Sequence, residues 1–357
     1  MQTTTQITTL TSKTPSSSPL VRGRTAEADP NLVTKIEALA FKAGRDYLEG
    51  QGYLELFPPR MVRASGACEN VDTLFEVAGQ GEQFWWRDEK MYNSLPAYLA
   101  QTGQLYLEAY VPDLEKVYCV GPSFRAEPAI DGRHLSEFMM IEIEFAGGFE
   151  DLLQEIEGFI KAIGKRVYRV TGAEHLSDFS KPFSRLTYDQ AIEKLKEIGE
   201  DINWGDDINS AREKKLVEKM GNGPLFITHF PDPMHPEGQG IEVEKFFNML
   251  PDPDHPGRVL SSDLILPFAG ESVGAAARVH IPEVMKDRLM KSNMFKRLQE
   301  KGGSLEDFRW YLDRLEQRGS VPHAGCGFGM ARILQWLHGG DDITQAVTFP
   351  CSRVSLI

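Results

Sequence analysis

Apolar residues recur along this chain with two periods, and each period marks a different kind of element. From Leu32 to Gly50 the residues Leu32, Ile36, Leu39, Ala40 and Tyr47 follow near-helical spacing, opened by Asp29-Pro30. Residues 151–171 show the helical stripe more strongly, through Leu152, Leu153, Ile156, Phe159, Ile160, Ile163 and Val167, and residues 188–198 form a further amphipathic helix. Between Gly52 and Phe145 the pattern is instead that of strands joined by loops, with apolar runs at 117–124 and 137–145. In the second run the two-residue period puts Phe138, Met140, Glu142 and Glu144 on one face and Met139, Ile141, Ile143 and Phe145 on the other. The apolar face belongs to a core. The face with two carboxylates, read from this segment alone, turns to solvent.

A polar segment, 201–223, leads into strand-like 225–230, a Pro-rich loop, and two further strand-like runs at 246–250 and 263–268. Helices over 282–300 and 304–318 precede a glycine-rich stretch, Gly325-Cys-Gly-Phe-Gly, and a last helix through Leu337. Strands mixed with helices, without regular alternation, predict an α+β fold around a mainly antiparallel sheet flanked by helices. One domain over 31–357 is expected, with no internal repeat.

Composition narrows the class. The chain has 357 residues, 41% of them hydrophobic, enough for a large core. Residues 1–30 stand apart: Thr and Ser dominate and no acidic residue precedes Glu27, so this part is expected to be a disordered tail. No run of about 18 apolar residues suggests a membrane span, and the N-terminus has no apolar signal-peptide region. Lys plus Arg number 39 against 52 Asp plus Glu, for a net charge of −13, so an overall basic surface for phosphate backbones is excluded. Cys68, Cys119, Cys326 and Cys351 form no close-spaced pair and are read as reduced thiols in a cytoplasmic compartment.

Three segments carry candidate chemistry. Residues 325–332, Gly-Cys-Gly-Phe-Gly-Met-Ala-Arg, fail as a dinucleotide fingerprint because Met330 stands where its third glycine should be. They do suit a strand-to-helix passage where backbone approaches a flat ligand and Arg332 reaches across it; simple helix packing explains the glycines equally well. Arg125 and Glu127 sit two apart, on one face of an expected strand, followed by a turn at Asp131-Gly132 and the pair Arg133-His134. An arginine fork suits a phosphoryl group gaining negative charge. Asp263 and Glu271 flank a loop with Gly270, two hard oxygen donors of the kind Mg²⁺ uses beside phosphates, and Arg278 follows.

Together these segments resemble the three motifs of the class II aminoacyl-tRNA synthetases, in the aspartyl/asparaginyl branch and nearest its asparaginyl members. Gly52-Tyr-Leu-Glu-Leu-Phe-Pro-Pro59 is similar to motif 1, residues 124–138 to motif 2, and residues 325–332 to motif 3. Gly103-Gln-Leu-Tyr-Leu-Glu-Ala-Tyr110, Arg133-His-Leu-Ser-Glu-Phe138, Trp204-Gly-Asp-Asp207 and Val321-Pro-His-Ala-Gly325 resemble asparaginyl-type segments, and the likeness runs over about residues 31–350. It implies a homodimer through motif 1, and ATP, Mg²⁺ and a small amino acid as ligands. On matching positions, Arg125 would hold the substrate carboxylate and α-phosphate, Glu127 the adenine amino edge, and Phe138 with Arg332 would sandwich adenine. Arg133 or His134 would meet the outer phosphates, and Asp263 and Glu271 the metal. Glu69 and Gln104 would bind the amino end, and Arg278 and Glu142 the substrate side chain.

Aspartyl enzymes place a Lys where this chain has Leu107, and an ionised Glu142 repels a second carboxylate, so asparagine is favoured over aspartate. Three departures from the resemblance put tRNA binding in doubt. Only the tail precedes motif 1, where the branch carries an anticodon-binding domain; Gly274-Ala-Ala-Ala-Arg278-Val279 replaces a run of Gly-Gly-Ser-Gln-Arg-Glu type; and the usual Pro-Arg ending has become Phe349-Pro-Cys-Ser-Arg353. The expectation is therefore activation of asparagine, or a close analogue, to an acyl adenylate without tRNA, followed by transfer to a small acceptor. The alternatives are an asparagine synthetase using aspartate and ammonia, an asparagine-tRNA ligase, and a non-catalytic amino-acid sensor.

Overall fold

A computed structural model describes residues 30–63, 71–77, 85–87, 90–92, 97–129, 131–243, 245–319 and 321–354. Its centre is an eight-stranded sheet. In chain order the strands are β1 (Leu54–Glu55), β2 (Lys116–Phe124), β3 (Glu137–Ala146), β4 (Ser184–Thr187), β5 (Leu225–Thr228), β6 (Ser261–Leu266), β7 (Gly270–Ala277) and β8 (His323–Gly329), and across the sheet they run β1-β2-β3-β8-β7-β6-β5-β4. The edge pairs β1/β2 and β4/β5 are parallel and all others antiparallel, so the expected α+β architecture holds. No helix among the described residues is long and apolar enough to cross a membrane.

Helix α1 (Pro30–Gly50) buries Val33, Ile36, Ala40, Ala43 and Leu48, a stripe at helical spacing. It lies against the long helix α3 (Phe149–Thr171), whose buried stripe is the one the sequence shows and which ends at Gly172 in the left-handed conformation, φ 63°. The inner face of this pair meets Ile141, Ile143 and Phe145 of β3 and Phe328 of β8 in the main core. The two-residue period then forces Glu142 and Glu144 to the opposite face of the sheet. That face is not solvent: the two glutamates are only 4% and 1% exposed.

Room for them comes from the glycines of β8. Gly325 lies opposite Glu144 and Gly327 opposite Glu142. A Cβ on Gly325 would fall 2.1 Å from Glu144 Cδ, and one on Gly327 would fall 2.4 Å from Met140 Cε. The glycine run therefore opens space between strands for buried side chains, before β8 passes into α9 (Met330–His338).

Several expected elements differ. The strand expected to carry Arg125 and Glu127 ends before both of them, at Phe124, and the backbone N–H groups of Arg125 and Ala126 turn to Ser136 O and Thr73 O. The polar segment 201–223 contains α5 (Ser210–Lys219), capped by Asn209, whose side chain accepts from the N–H groups of Ala211 and Arg212 at 3.2 Å. Residues 246–250 form a turn rather than a strand, bridged to the sheet's margin from Met249 to Arg278 and packed against it through Met249 and Leu250. The helix expected over 282–300 breaks into α6 (Pro282–Lys291) and α7 (Asn293–Glu300), since Ser292 is extended and caps α7 through Phe295 N. The span 304–318 opens as a 3₁₀ turn at Leu305–Phe308 before α8 (Arg309–Arg318). Residues 104–108, expected to lie among strands, form the short helix α2 (Gln104–Glu108), and α4 (Tyr188–Glu197) follows its expected span. Of the expected tail, only Pro30 lies within the described residues.

Candidate active site

A cavity of about 420 Å³ opens over the sheet face that Glu142 and Glu144 share. The connection from β2 to β3 supplies Arg125, Glu127, Arg133 and His134; β6, β7 and the residue after β7 supply Asp263, Glu271 and Arg278; α2, β3 and α9 supply Gln104, Phe138, Glu142 and Arg332. Every candidate residue within the described part of the chain thus borders one space. Glu69 lies outside the described residues.

One end of the cavity is a wall for a flat ring and anions. The Arg125 guanidinium stands 5.2 Å from the centre of the Phe138 ring, and Arg332 Nη1 donates to the backbone carbonyl of Glu271. His134 Nδ1 and the Arg133 N–H both meet Asp131 Oδ1, at 2.7 and 2.9 Å, which fixes the turn that carries these side chains.

The β6–β7 side is acidic. Asp263 and Glu271 are joined by Asp207 and Glu213, residues that the sequence reading did not assign to the site. Burial raises the Asp263 carboxyl to about 7; Lys245 Nζ, 2.6 Å away, pulls against that rise and Glu271 adds to it. Burial lifts Glu213 further, to about 8, with the charge of Glu271 adding to the effect and its contact with the Glu271 N–H at 3.2 Å opposing it. Buried hard oxygens gathered here, with the Asp263 and Glu213 carboxyls raised by burial and by the nearby charge of Glu271, form a donor set that a divalent cation completes, so this wall fits Mg²⁺. The sequence signal for Glu213 was available only in part: Asn209 marks the start of a helix, and position 213 falls one turn in, on its buried face.

At the other end, Glu142 accepts hydrogen bonds from the Gly103 N–H at 2.9 Å and from the Thr102 hydroxyl, with Cys119 Sγ 3.6 Å away. Leu107 is fully buried beside Cys119, Val111 and Val117, so no charge stands at that position. Arg278 is buried and paired with Glu144 at 2.7 and 3.1 Å. Behind them lies a hub that sequence reasoning missed. Glu108 accepts from Gln104 Nε2 and the Tyr311 hydroxyl, both at 2.6 Å, and meets His323 Nε2 at 3.2 Å and Asn248 Nδ2 at 3.3 Å. Burial opposes the charge, but His323, Arg278 and Tyr311 hold the Glu108 carboxyl at about 2. The i, i+4 spacing of Gln104 and Glu108 was its one visible trace.

An aromatic–arginine wall, a cluster of buried carboxylates and a buried polar end thus share one cavity, an arrangement with room and charge for a nucleotide, a divalent cation and a small polar ligand. Residues 19–353 match the tRNA synthetases class II (D, K and N), and the chain belongs to that family. Asparagine–tRNA ligase of Pelotomaculum thermopropionicum is 35% identical over 331 residues, covering 90% of this chain and 69% of the relative. The ligase of Thermococcus kodakarensis is 34% identical over 330 residues, 89% of this chain and 68% of that one. Among solved structures, asparaginyl-tRNA synthetase from Pyrococcus horikoshii complexed with asparaginyl-adenylate superposes with a TM-score of 0.76 at 32% identity, over 92% of this chain and 70% of the other. The fold is thus that of a class II synthetase catalytic domain, and the chain is an ATP-dependent ligase of asparaginyl-tRNA synthetase-like type.

Proposed function

We propose that this protein activates asparagine with ATP as an asparaginyl adenylate and then passes the asparaginyl group to a tRNA hydroxyl, breaking the acyl–phosphate bond and releasing AMP. The observation that carries the first step is that one cavity gathers nucleotide, metal and amino-acid candidates together. The asparagine carboxylate attacks the α-phosphorus; a new P–O bond forms, the α–β bond breaks and pyrophosphate leaves. Such a displacement needs alignment and charge neutralisation more than a protein nucleophile. Arg125 holds the attacking carboxylate and the α-phosphate, Glu127 reads the adenine edge, and Phe138 with Arg332 encloses the ring. Arg133 and His134 take the outer phosphates. Asp263 and Glu271 would hold Mg²⁺, which when bound would neutralise phosphate charge.

At the side-chain end, Glu142 offers its remaining lone pairs to the substrate amide N–H₂, while Arg278, kept in place by Glu144, donates to the amide oxygen. Aspartate would bring a second carboxylate against Glu142. Gln104, fixed by Glu108, meets the amino end. What supports tRNA as acceptor is that relatives matched over nine-tenths of this chain are asparagine–tRNA ligases. Transfer to a small acceptor without tRNA has no comparable support and gives way to this reading. Phe57, in motif 1, is 85% exposed, with Leu54 and Met61 also exposed, which supports a homodimer through this segment.

Amino-acid-dependent ATP–pyrophosphate exchange tests the first step, and attachment of labelled asparagine to tRNA the second. Exchange with asparagine but not aspartate, followed by labelled tRNA, is the expected result. Exchange without any labelled tRNA would overturn the second step alone.

A further inference from the structure

Outside the cavity, at the end of β5, His229 meets Asp252 and His255 of the loop that leads to β6. Asp252 Oδ2 is 2.7 Å from His255 Nδ1 and 3.6 Å from His229 Nε2, and the three atoms lie within 4.8 Å of one another. We propose that these residues form a second metal site, for one zinc-type transition-metal ion, with water completing the coordination.

Hydrogen bonding around His229 gives the first argument. The Thr228 hydroxyl donates to Leu186 O at 3.3 Å, so its oxygen is left to accept the Nδ1–H of His229, 2.8 Å away. The lone pair of Nε2 then faces the Asp252 carboxylate, acceptor against acceptor, and a cation between them resolves the conflict. A hydrogen bond at the far nitrogen of a ligating imidazole is the arrangement that fixes tautomer and ring direction in metal sites.

Backbone geometry gives the second. His229 has φ 57°, in the left-handed region that side chains with a Cβ seldom adopt, and this conformation aims its ring at Asp252. Its ring stands edge-on to Phe149 at 5.4 Å. Asp252 is 6% exposed and its other oxygen accepts the Asp254 N–H at 2.9 Å, which orients the carboxylate. Pro251, Pro253 and Pro256 stiffen the loop, a bridge from Pro251 to Val259 closes it on itself, and one from Pro231 to Arg258 ties it to the segment after β5. Little ordering therefore remains to be done when an ion binds.

Donor chemistry decides the ion. Two imidazoles and one carboxylate suit zinc and its neighbours, whereas Mg²⁺ and Ca²⁺ prefer oxygen alone. Bonds of about 2.0–2.1 Å need the donors a little over 3 Å apart. The His229–Asp252 separation already allows this, and the exposed His255 ring has freedom to move out. The site would clamp the segment after β5 to the loop before β6, next to Phe230, whose ring carries the Lys245 ammonium at 3.9 Å.

The test is Co²⁺ titration of chelator-stripped protein in excess Mg²⁺, read in the visible spectrum, with Zn²⁺-dependent thermal melting alongside. One equivalent should bind with the intense bands of a four- or five-coordinate nitrogen–oxygen site, and Zn²⁺ should raise the melting temperature. His255→Ala should abolish both effects, and Asp252→Asn, which retains the Asp254 turn, should weaken binding tenfold or more. The His255 side chain is 67% exposed, so its variant should melt like the parent when no metal is present. The proposal is overturned if the parent binds no Co²⁺, if His255→Ala titrates like the parent, or if the bands are thiolate charge transfer that disappears with Cys351→Ser.

Discussion

Replacing Glu108 separates charge from hydrogen bonding behind the amino-acid end of the cavity. Its Oε1 takes the amides of Gln104 and Asn248, which can only donate through those nitrogens, and its Oε2 takes Tyr311 and His323. His323 Nδ1 lies 2.8 Å from Val321 O and donates there, so Nε2 donates to Glu108 only when the ring is charged. In Glu108→Gln the amide oxygen keeps the two amide donors and the new N–H₂ takes the other place. Tyr311 then turns its hydroxyl to accept, and His323 gives up a proton and accepts as well. All pairs survive as neutral ones: each of the four bonds loses about 1–1.5 kcal/mol, since bonds to charged groups contribute about 1.5–3 and neutral ones about 0.5–1.5 kcal/mol, and relief from burying a charge offsets part of that sum, for a net cost of about 1–3 kcal/mol. Glu108→Ala removes the acceptor from four donors at once and should cost at least about 4 kcal/mol, at about 1–3 kcal/mol per stranded group. Urea unfolding of the ligand-free variants measures the difference. The pH dependence adds a second reading. Glu108 is held at about 2, so its contribution is present above its ordinary value of 4.5 and fades as pH falls toward 2. Burial works against the charged His323 ring, but Glu108 raises it above 6.5, so its contribution is complete below 6.5 and lost as pH rises past its folded value. The parent's advantage over Glu108→Gln should therefore be greatest between about 4.5 and 6.5 and shrink on both sides. Equal stability of the Gln and Ala variants would refute the hydrogen-bond accounting, and a flat pH profile would refute the charge assignment.

Other changes test the cavity directly. Arg332→Ala should raise the KM for ATP at least tenfold while moving the melting temperature by no more than a few degrees, because the residue gives up a single hydrogen bond to the Glu271 carbonyl; unfolding instead would make this arginine structural. Glu142→Gln should cut the preference for asparagine over aspartate by on the order of ten- to a hundredfold, well within the ~4 kcal/mol that two charges 4 Å apart exchange at a protein surface; unchanged selectivity in pyrophosphate exchange would remove Glu142 from the side-chain pocket. Glu213 is raised from 4.5 to about 8 by burial, so the folded state binds the extra proton between those values and stability should fall as pH rises across that window. Glu213→Gln should flatten this slope in melting curves recorded without Mg²⁺, and a slope equal to the parent's would place the proton elsewhere.

Periodicity recovered the elements that bury a continuous stripe, such as α1, α3 and the inner face of β3, because burial against one partner repeats with the element's own period. It was blind where the partner is another strand. Glu142 and Glu144 look in sequence like the wet side of a sheet, and Gly325 and Gly327 look like a place for a ligand to approach. Only the register that sets Gly325 against Glu144 and Gly327 against Glu142 shows that each feature explains the other. Removing Cβ atoms from β8 lets two carboxylates sink below the cavity floor, where Arg278 and the Gly103 N–H meet them. The same reasoning explains why Glu108 escaped notice. Its four partners come from positions 104, 248, 311 and 323, so no local window holds more than one of them. A buried charge satisfied from its own helix and three distant segments makes those segments interdependent, so the proposed selectivity depends on the residues that fix Gln104 and Arg278 as much as on those proposed to touch the substrate.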